Sequence, residues 1–417
     1  MIKKQLFYFG SGALHANCIG VDGGKLIRGP LIRELAKSFD VIWCGYTKEE
    51  RREVPLLKMF GIYHSPYFSA DIRQLMHHQI NPEEEGFTQR LDIVFTDKVY
   101  SGFENNTDSA EYQEYLRQNL NNSMYTDKAR ILFMELRPFE EKDGYNFGNE
   151  AHTQKELIEY WIKNGKKHDK IIVWDQDGWC QQIPKEYREH IILLHAYEEI
   201  PDYDMSDFKE HHYFLWGWDE KTMQDFTPHR INLPNDEKFD TVYCGNVYGR
   251  RDDFLKFMKP LHDEGKTMAI AGNWLRKKYD DRDFSLEHFP NALFLGQTEH
   301  WTTLPLLSRA KFCVHFANPY QQELGLIGIR VFEAFMAGTP LFVNGNIKGI
   351  EKYVHESQII YSGEELIQKL KYYDLKLVYK LWKEKIKDYT VANQAKWLLK
   401  LITPVIEKPI QTFGVIS

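Results

Sequence analysis

Short apolar runs alternate with amphipathic stretches along most of this chain. That is the pattern of α/β domains in which parallel strands are buried on both faces and helices cover them. In the first half, the runs predict strands at 5–9, 41–44, 91–95, 130–134, 170–174, 190–195 and 213–216. Helical periodicity fits between them at 30–37 and 153–164. Pro30 falls in a first helical turn, where its missing N–H would be unpaired in any case. The polar stretch 102–127, with Asn105-Asn106 and Asn121-Asn122, reads as an insertion. A second series follows the proline-containing segment 226–236, with strands predicted at 241–244, 267–271, 292–295, 312–316, 341–343 and 358–361. The tail 375–403 is helical and rich in Lys, Leu and Trp. Two successive α/β domains of this kind hold a ligand in the cleft between them, at the carboxyl ends of their strands.

Composition narrows the class. A length of 417 residues suits two domains, and 43% apolar residues suffices for their cores. A net charge of −7 argues against a surface coated in basic charge for nucleic acid, although a local basic cleft remains compatible with it. The five cysteines are scattered without a CxxC pair, which gives neither a zinc site nor a disulfide framework and favours a reducing compartment. The apolar run 6–9 is too short for a signal-peptide core, and no segment is long enough to span a bilayer. The expectation is a cytoplasmic protein with no membrane partner.

Candidate chemistry concentrates in the second half. Residues 328–340, GIRVFEAFMAGTP, read as a helix stopped by Gly338 and Pro340, with Arg330 and Glu333 three apart on one face. Such a pair is either a surface salt bridge or a grip on a nucleotide, the guanidinium on phosphate and the carboxylate on ribose hydroxyls. The strand at 241–244 ends in Gly245-Asn246, where a glycine lets backbone approach a phosphate, and Arg250-Arg251 follow. In the first half, the strand at 170–174 ends at Asp175-Gln176-Asp177, and Asp97 ends the run at 91–96. A carboxylate at a strand's carboxyl end can face the cleft as a general base, or it can cap the turn that follows. Residues 21–25, VDGGK, fit an acceptor-side loop and a tight turn equally well. His77-His78 and His211-His212 lack metal-ligand spacing, and His212 reads as entering a strand.

Residues 242–251, then Ala271-Gly272-Asn273, then 294–298, then 329–340 occur in the order and spacing of the DNA β-glucosyltransferases of T-even bacteriophages. The resemblance covers about residues 240–350. It implies a GT-B fold: two Rossmann-like domains facing across a cleft, with a C-terminal helix crossing back to the first. The implied domains are 1–227 for the acceptor side, carrying an insertion at about 100–150, 228–385 for the nucleotide-sugar side, and 386–417 for the crossing helix. The implied donor is a UDP-sugar, glucose or a pentose, with a divalent cation left open. Gly245 and Asn246 would form the glycine loop, Arg330 with Arg250 or Arg251 would contact the diphosphate, Glu333 the ribose, and backbone near Thr298 the uracil. Asp175 matches the family's catalytic aspartate best, with Asp177 and Asp97 as its competitors. Retaining GT-B enzymes often carry a glutamate eight positions before the ribose-binding one, and Gly325 stands there, which favours inversion. The implied partner is double-stranded DNA with a flipped modified cytosine, the acceptor being 5-hydroxymethylcytosine or a sugar on it. A GT-B transferase acting on polysaccharide or protein, a non-catalytic nucleotide-sugar-binding module and an epimerase are the competing readings.

Overall fold

The structure is a computed structural model. It describes residues 4–9, 30–43, 130–139, 154–165, 169–198, 203–224, 239–275, 281–296 and 303–402, apart from residues 33, 36, 137, 156, 160, 164, 216 and 248. Two six-stranded sheets, parallel throughout, account for the described strands. The first contains β1 (Lys4–Phe9), β2 (Phe39–Trp43), β3 (Arg130–Glu135), β4 (Lys170–Asp175), β5 (Ile191–His195) and β6 (Glu210–Tyr213), in the order β2-β1-β3-β4-β5-β6. The second contains β7 (Phe239–Cys244), β8 (Met268–Ala271), β9 (Leu293–Gly296), β10 (Ala310–His315), β11 (Leu341–Asn344) and β12 (Ile359–Ile360), in the order β12-β11-β10-β7-β8-β9. Central strands such as β5, IILLH, are buried along their whole length, as a sheet covered on both faces requires.

In the second sheet, β7 pairs with β8 on one side and with β10 on the other. The strand order therefore reverses at β7 and β10, whose carboxyl ends flank the crevice where such sheets take ligands.

The tail crosses between the halves. In the helix Leu375–Ile386, the Tyr379 hydroxyl donates to Phe335 O at 2.8 Å and Trp382 Nε1 donates to Tyr353 O at 3.1 Å, both in the second half. The helix Val391–Ile402 lies on the first sheet: Trp397 packs against Phe214, and Lys170 Nζ donates to Leu401 O at 2.7 Å. Trp218 ties the crossing point, donating from its backbone N to Tyr389 O and from Nε1 to Ile386 O.

One strand is displaced from its expected place. The apolar run at 213–216 predicts a strand, but β6 is the more polar Glu210–Tyr213. Among the described strands β6 is the edge of its sheet, next to β5 alone, so a polar sequence is tolerated there. Phe214 and Leu215 instead enter the core beyond the strand, at 1% and 2% exposure. His212 lies in β6, as its sequence context suggested. The expected strand at 91–95, the loop 21–25, the polar stretch 102–127 and the linker at 226–236 lie outside the described residues.

Candidate active site

Three strand ends of the second sheet are fastened together at one edge of the cleft. Gly245 N donates to Ala271 O, and Gly272 N donates to Gly296 O. Asn246 Oδ1 accepts from Asn273 N at 3.2 Å, and Gly245 O accepts from Trp274 Nε1 at 2.7 Å. Gly272, at φ +132°, has its α-carbon so close to this loop that a Cβ would fall 1.9 Å from Gly245 O. Only glycine permits that approach.

Arg250 and Arg251 point to different partners. Arg250 donates from Nη1 to Asn246 O at 3.0 Å and from Nη2 to Gln321 Oε1 at 3.1 Å, which keeps it beside the glycine loop. Arg251 opens the helix Arg251–Asp263, pairs with the buried Asp281 at 2.6 Å and lies over the Phe284 ring. The choice between them left open by the sequence thus gains a geometric difference.

Arg330 and Glu333 form an ion pair on the helix Arg330–Met336. The pair is not on the surface. Glu333 is fully buried and Arg330 is 16% exposed, so the two charges face each other away from water, with Arg330 Nη1 against Glu333 Oε2. Burial pushes the Glu333 carboxyl above its ordinary range, opposed by the charge of Arg330. His315, at the end of β10, is held neutral: burial, then Arg330 and Arg250, push it down to about 3. Its ring lies against Gly328, and Nε2 is buried without a hydrogen bond. Two arginines, a neutral imidazole and a buried carboxylate therefore gather at the switch point of the sheet.

On the facing side, Asp175 ends β4 at the expected place, but its carboxylate does not face the cleft. Oδ1 accepts from the backbone N of Asp177, Gly178 and Trp179 at 3.2, 2.9 and 3.1 Å. Oδ2 accepts from Cys180 N at 2.7 Å and from the Tyr197 hydroxyl at 2.8 Å. With five donors and no exposed surface, this carboxylate anchors the turn 176–180. The turn touches the second half, where the Tyr320 hydroxyl donates to Gly178 O at 3.2 Å.

A family model described as "Glycosyl transferase-like" matches residues 250–394, which include Arg250, Arg330 and Glu333. Among solved structures, the chain is similar to the β-glucosyltransferase of phage T4 in complex with UDP and Mn2+, at 13% identity and a TM-score of 0.51, covering 96% of this chain and 99% of that one. It is also similar to α,α-trehalose 6-phosphate synthase from Burkholderia multivorans, at 9% identity and a TM-score of 0.55, covering 96% of this chain and 98% of that one. No curated protein matches. The chain has the GT-B fold, and its residues 250–394 match the glycosyl transferase-like family.

Within this GT-B frame, Gly245, Asn246, Arg250, Arg330 and Glu333 all come to the carboxyl ends of β7 and β10 or to the helix beside them, while Arg251 is drawn toward Asp281. Thr298 and Asp97 lie outside the described residues. Sequence reasoning passed over His315 and Gln321. A polar residue closing an apolar strand was the available signal for the first. For the second it was Asn318-Pro319-x-Gln321, the spacing of a capping box. Among the described residues, no group of three or more His, Cys, Asp or Glu could hold a metal ion, and no helix is long and apolar enough to cross a membrane.

Proposed function

We propose that this GT-B protein moves a sugar from a UDP-sugar to a hydroxyl of modified DNA, with inversion at the anomeric carbon. The donor half rests on one observation: Arg250, held beside the glycine loop that ends β7, and the buried Arg330–Glu333 pair, on the helix packed against β10 and β11, lie where the strand order reverses. A diphosphate entering that crevice draws Arg330 away from Glu333. The Glu333 carboxylate, released from that arginine, then serves the ribose hydroxyls. Fixed positive charge stabilises the leaving UDP as charge develops on it. Arg250, oriented by neutral oxygens beside the glycine loop, is the second diphosphate ligand, and Arg251 is paired with Asp281 instead.

Inversion is supported by Gly325. It is left-handed at φ +69°, and a Cβ there would meet Lys348 O at 2.6 Å, so the position takes no carboxylate. The acceptor needs a base. Because Asp175 is fully engaged by the turn, we assign the base to Asp177, at the partly exposed start of that turn, with Asp97 as the alternative of the same chemistry. Asp175 then positions the turn.

The DNA acceptor is supported by the sequence resemblance and by a fold likeness spanning 99% of the phage T4 protein, a DNA-modifying enzyme. The acceptor would be 5-hydroxymethylcytosine, or a sugar already on it, flipped from the duplex to reach the cleft. A carbohydrate or protein hydroxyl is the second reading, favoured by the net charge of −7. The phage T4 structure contains Mn2+. Among the described residues, no group of three or more His, Cys, Asp or Glu could hold such an ion.

The test is incubation with a panel of UDP-sugars and hydroxymethylated or plain duplex DNA, followed by mass spectrometry of the nucleosides. One added hexose or pentose on hydroxymethylcytosine is expected. Transfer only to a carbohydrate or protein acceptor would move the protein to the second reading. Failure to release UDP with any acceptor would leave a binding module.

A further inference from the structure

The short helix Pro319–Leu324 has contacts in both halves of the molecule. Toward the first, the Tyr320 hydroxyl reaches Gly178 O at 3.2 Å, and Leu324 O accepts from Glu198 N at 3.1 Å. Toward the donor crevice, Gln321 Oε1 accepts from Arg250 at 3.1 Å. Gln322 Nε2 donates to Asp253 at 2.6 Å, in the helix that follows Arg250.

The Gln321 side chain is held before any donor arrives. Asn318 Oδ1 accepts from Gln321 N at 2.8 Å, and Gln321 Oε1 accepts from Asn318 N at 3.4 Å, a reciprocal capping box with Pro319 in the first turn. The same amide oxygen therefore meets a fixed backbone N–H and the Arg250 guanidinium. A free arginine loses side-chain entropy when it engages a ligand, whereas one already held in place loses little at that moment. Gln321 is neutral, so it orients the guanidinium without cancelling its charge.

We propose that Gln321 is the positioning residue for Arg250, and that through this helix the seating of the first half's turn at Gly178 sets donor affinity. The inference rests on Arg250 being a diphosphate ligand, as argued above.

The full-length protein and its variants Arg250→Ala, Gln321→Met, the double variant and Tyr320→Phe are titrated with UDP by calorimetry and with uridine by NMR. Thermal unfolding checks the fold of each. Losing a hydrogen bond to a charged group predicts that Arg250→Ala weakens UDP at least about tenfold and Gln321→Met about fivefold. The double variant should be no weaker than Arg250→Ala, because Gln321 acts through that arginine. Uridine, lacking phosphates, should bind all of them alike. Tyr320→Phe should cost about threefold for UDP, on the smaller scale of a neutral hydrogen bond.

Unchanged UDP affinity in Arg250→Ala would overturn the diphosphate reading and the inference together. Weakened UDP in Arg250→Ala with wild-type UDP affinity in Gln321→Met, or with equal loss of uridine in Gln321→Met, would overturn the inference alone. So would additive losses in the double variant. A silent Tyr320→Phe would remove the link to the first half. If Gln321→Met does not fold, Gln321→Glu keeps the cap and an acceptor while adding a charge that competes with the diphosphate. Wild-type UDP affinity in that variant would reject the placement of Gln321.

Discussion

Replacing Asp175 by Asn separates the anchoring role of this residue from a catalytic one. The asparagine carbonyl can keep Oδ1's three backbone donors, from Asp177, Gly178 and Trp179. Its NH2 then faces Cys180 N and the Tyr197 hydroxyl, both of which donate to Oδ2 in the wild type. The hydroxyl can turn and accept, but the Cys180 N–H cannot, and it loses its partner in a buried site. That orphaned N–H costs about 1–3 kcal/mol, and three bonds losing charge assistance cost roughly 0.5–1 kcal/mol each. The sum, about 2.5–6 kcal/mol, lowers the melting temperature by roughly 5–24 °C for a unit the size of the first half. Urea and thermal unfolding followed by tryptophan fluorescence measure it, with Trp174 just before the turn and Trp179 within it. UDP affinity and transfer are measured on the same preparation below its melting point. An Asp175→Asn protein that melts with the wild type and binds UDP normally, yet transfers no sugar, would refute this reasoning and restore Asp175 as the base.

Three further outcomes are expected. Asp177→Asn should bind UDP normally and lose transfer by roughly two to four orders of magnitude, the range for a general base; normal turnover there with a dead Asp97→Asn moves the base to Asp97. Arg330→Ala should cost about 3–5 kcal/mol of stability in urea because it strands the buried Glu333, and Glu333→Gln added to it should recover part of that; equal stability of Arg330→Ala and wild type would show the pair to be solvated. The unfolded chain binds a proton at His315 below about pH 6.5, the folded chain only near 3, so this group's contribution is complete above about pH 6.5 and falls by ~1.4 kcal/mol per pH unit below it. His315→Gln should flatten that acid loss, and equal urea-midpoint shifts between pH 7.5 and 5 in both proteins would reject the assignment.

The second half was the more legible in sequence, for a physical reason. Most of its strands are short apolar runs buried along much of their length, so the strand ends and the helix beside them, where the resemblance puts Gly245, Arg250 and Arg330, could be located without tertiary knowledge. Direction was not legible. A carboxylate closing a strand reads the same whether it faces a cleft or folds back over the next four backbone N–H groups, and Asp175 does the latter. Adjacent arginines also read alike until the fold supplies Asp281 for one and Gln321 for the other. At β6, the apolar run predicted a strand where the chain instead had a core-filling exit, since an edge strand need not be apolar.

The three arginines differ in how their charge is held, and that difference orders their roles. Arg251 meets the Asp281 carboxylate and Arg330 meets Glu333, so each is opposed by a full negative charge within ion-pair distance. Arg250 gives its hydrogen bonds to a backbone carbonyl and an amide oxygen. Its position is fixed while much of its field stays available to an arriving anion. In the proposed donor complex, Arg330 exchanges a carboxylate for a phosphate, and that exchange frees Glu333 for ribose. On the proposed reading, donor recognition has two parts: Arg250 attracts the diphosphate, which draws Arg330 from Glu333, and the freed carboxylate then takes the ribose. Inorganic diphosphate should therefore depend on Arg250 far more than on Glu333, whereas UDP should depend on both. If Glu333→Gln weakens diphosphate and UDP by the same factor, the pair does not divide its charge between phosphate and ribose, and Glu333 serves only to hold the helix.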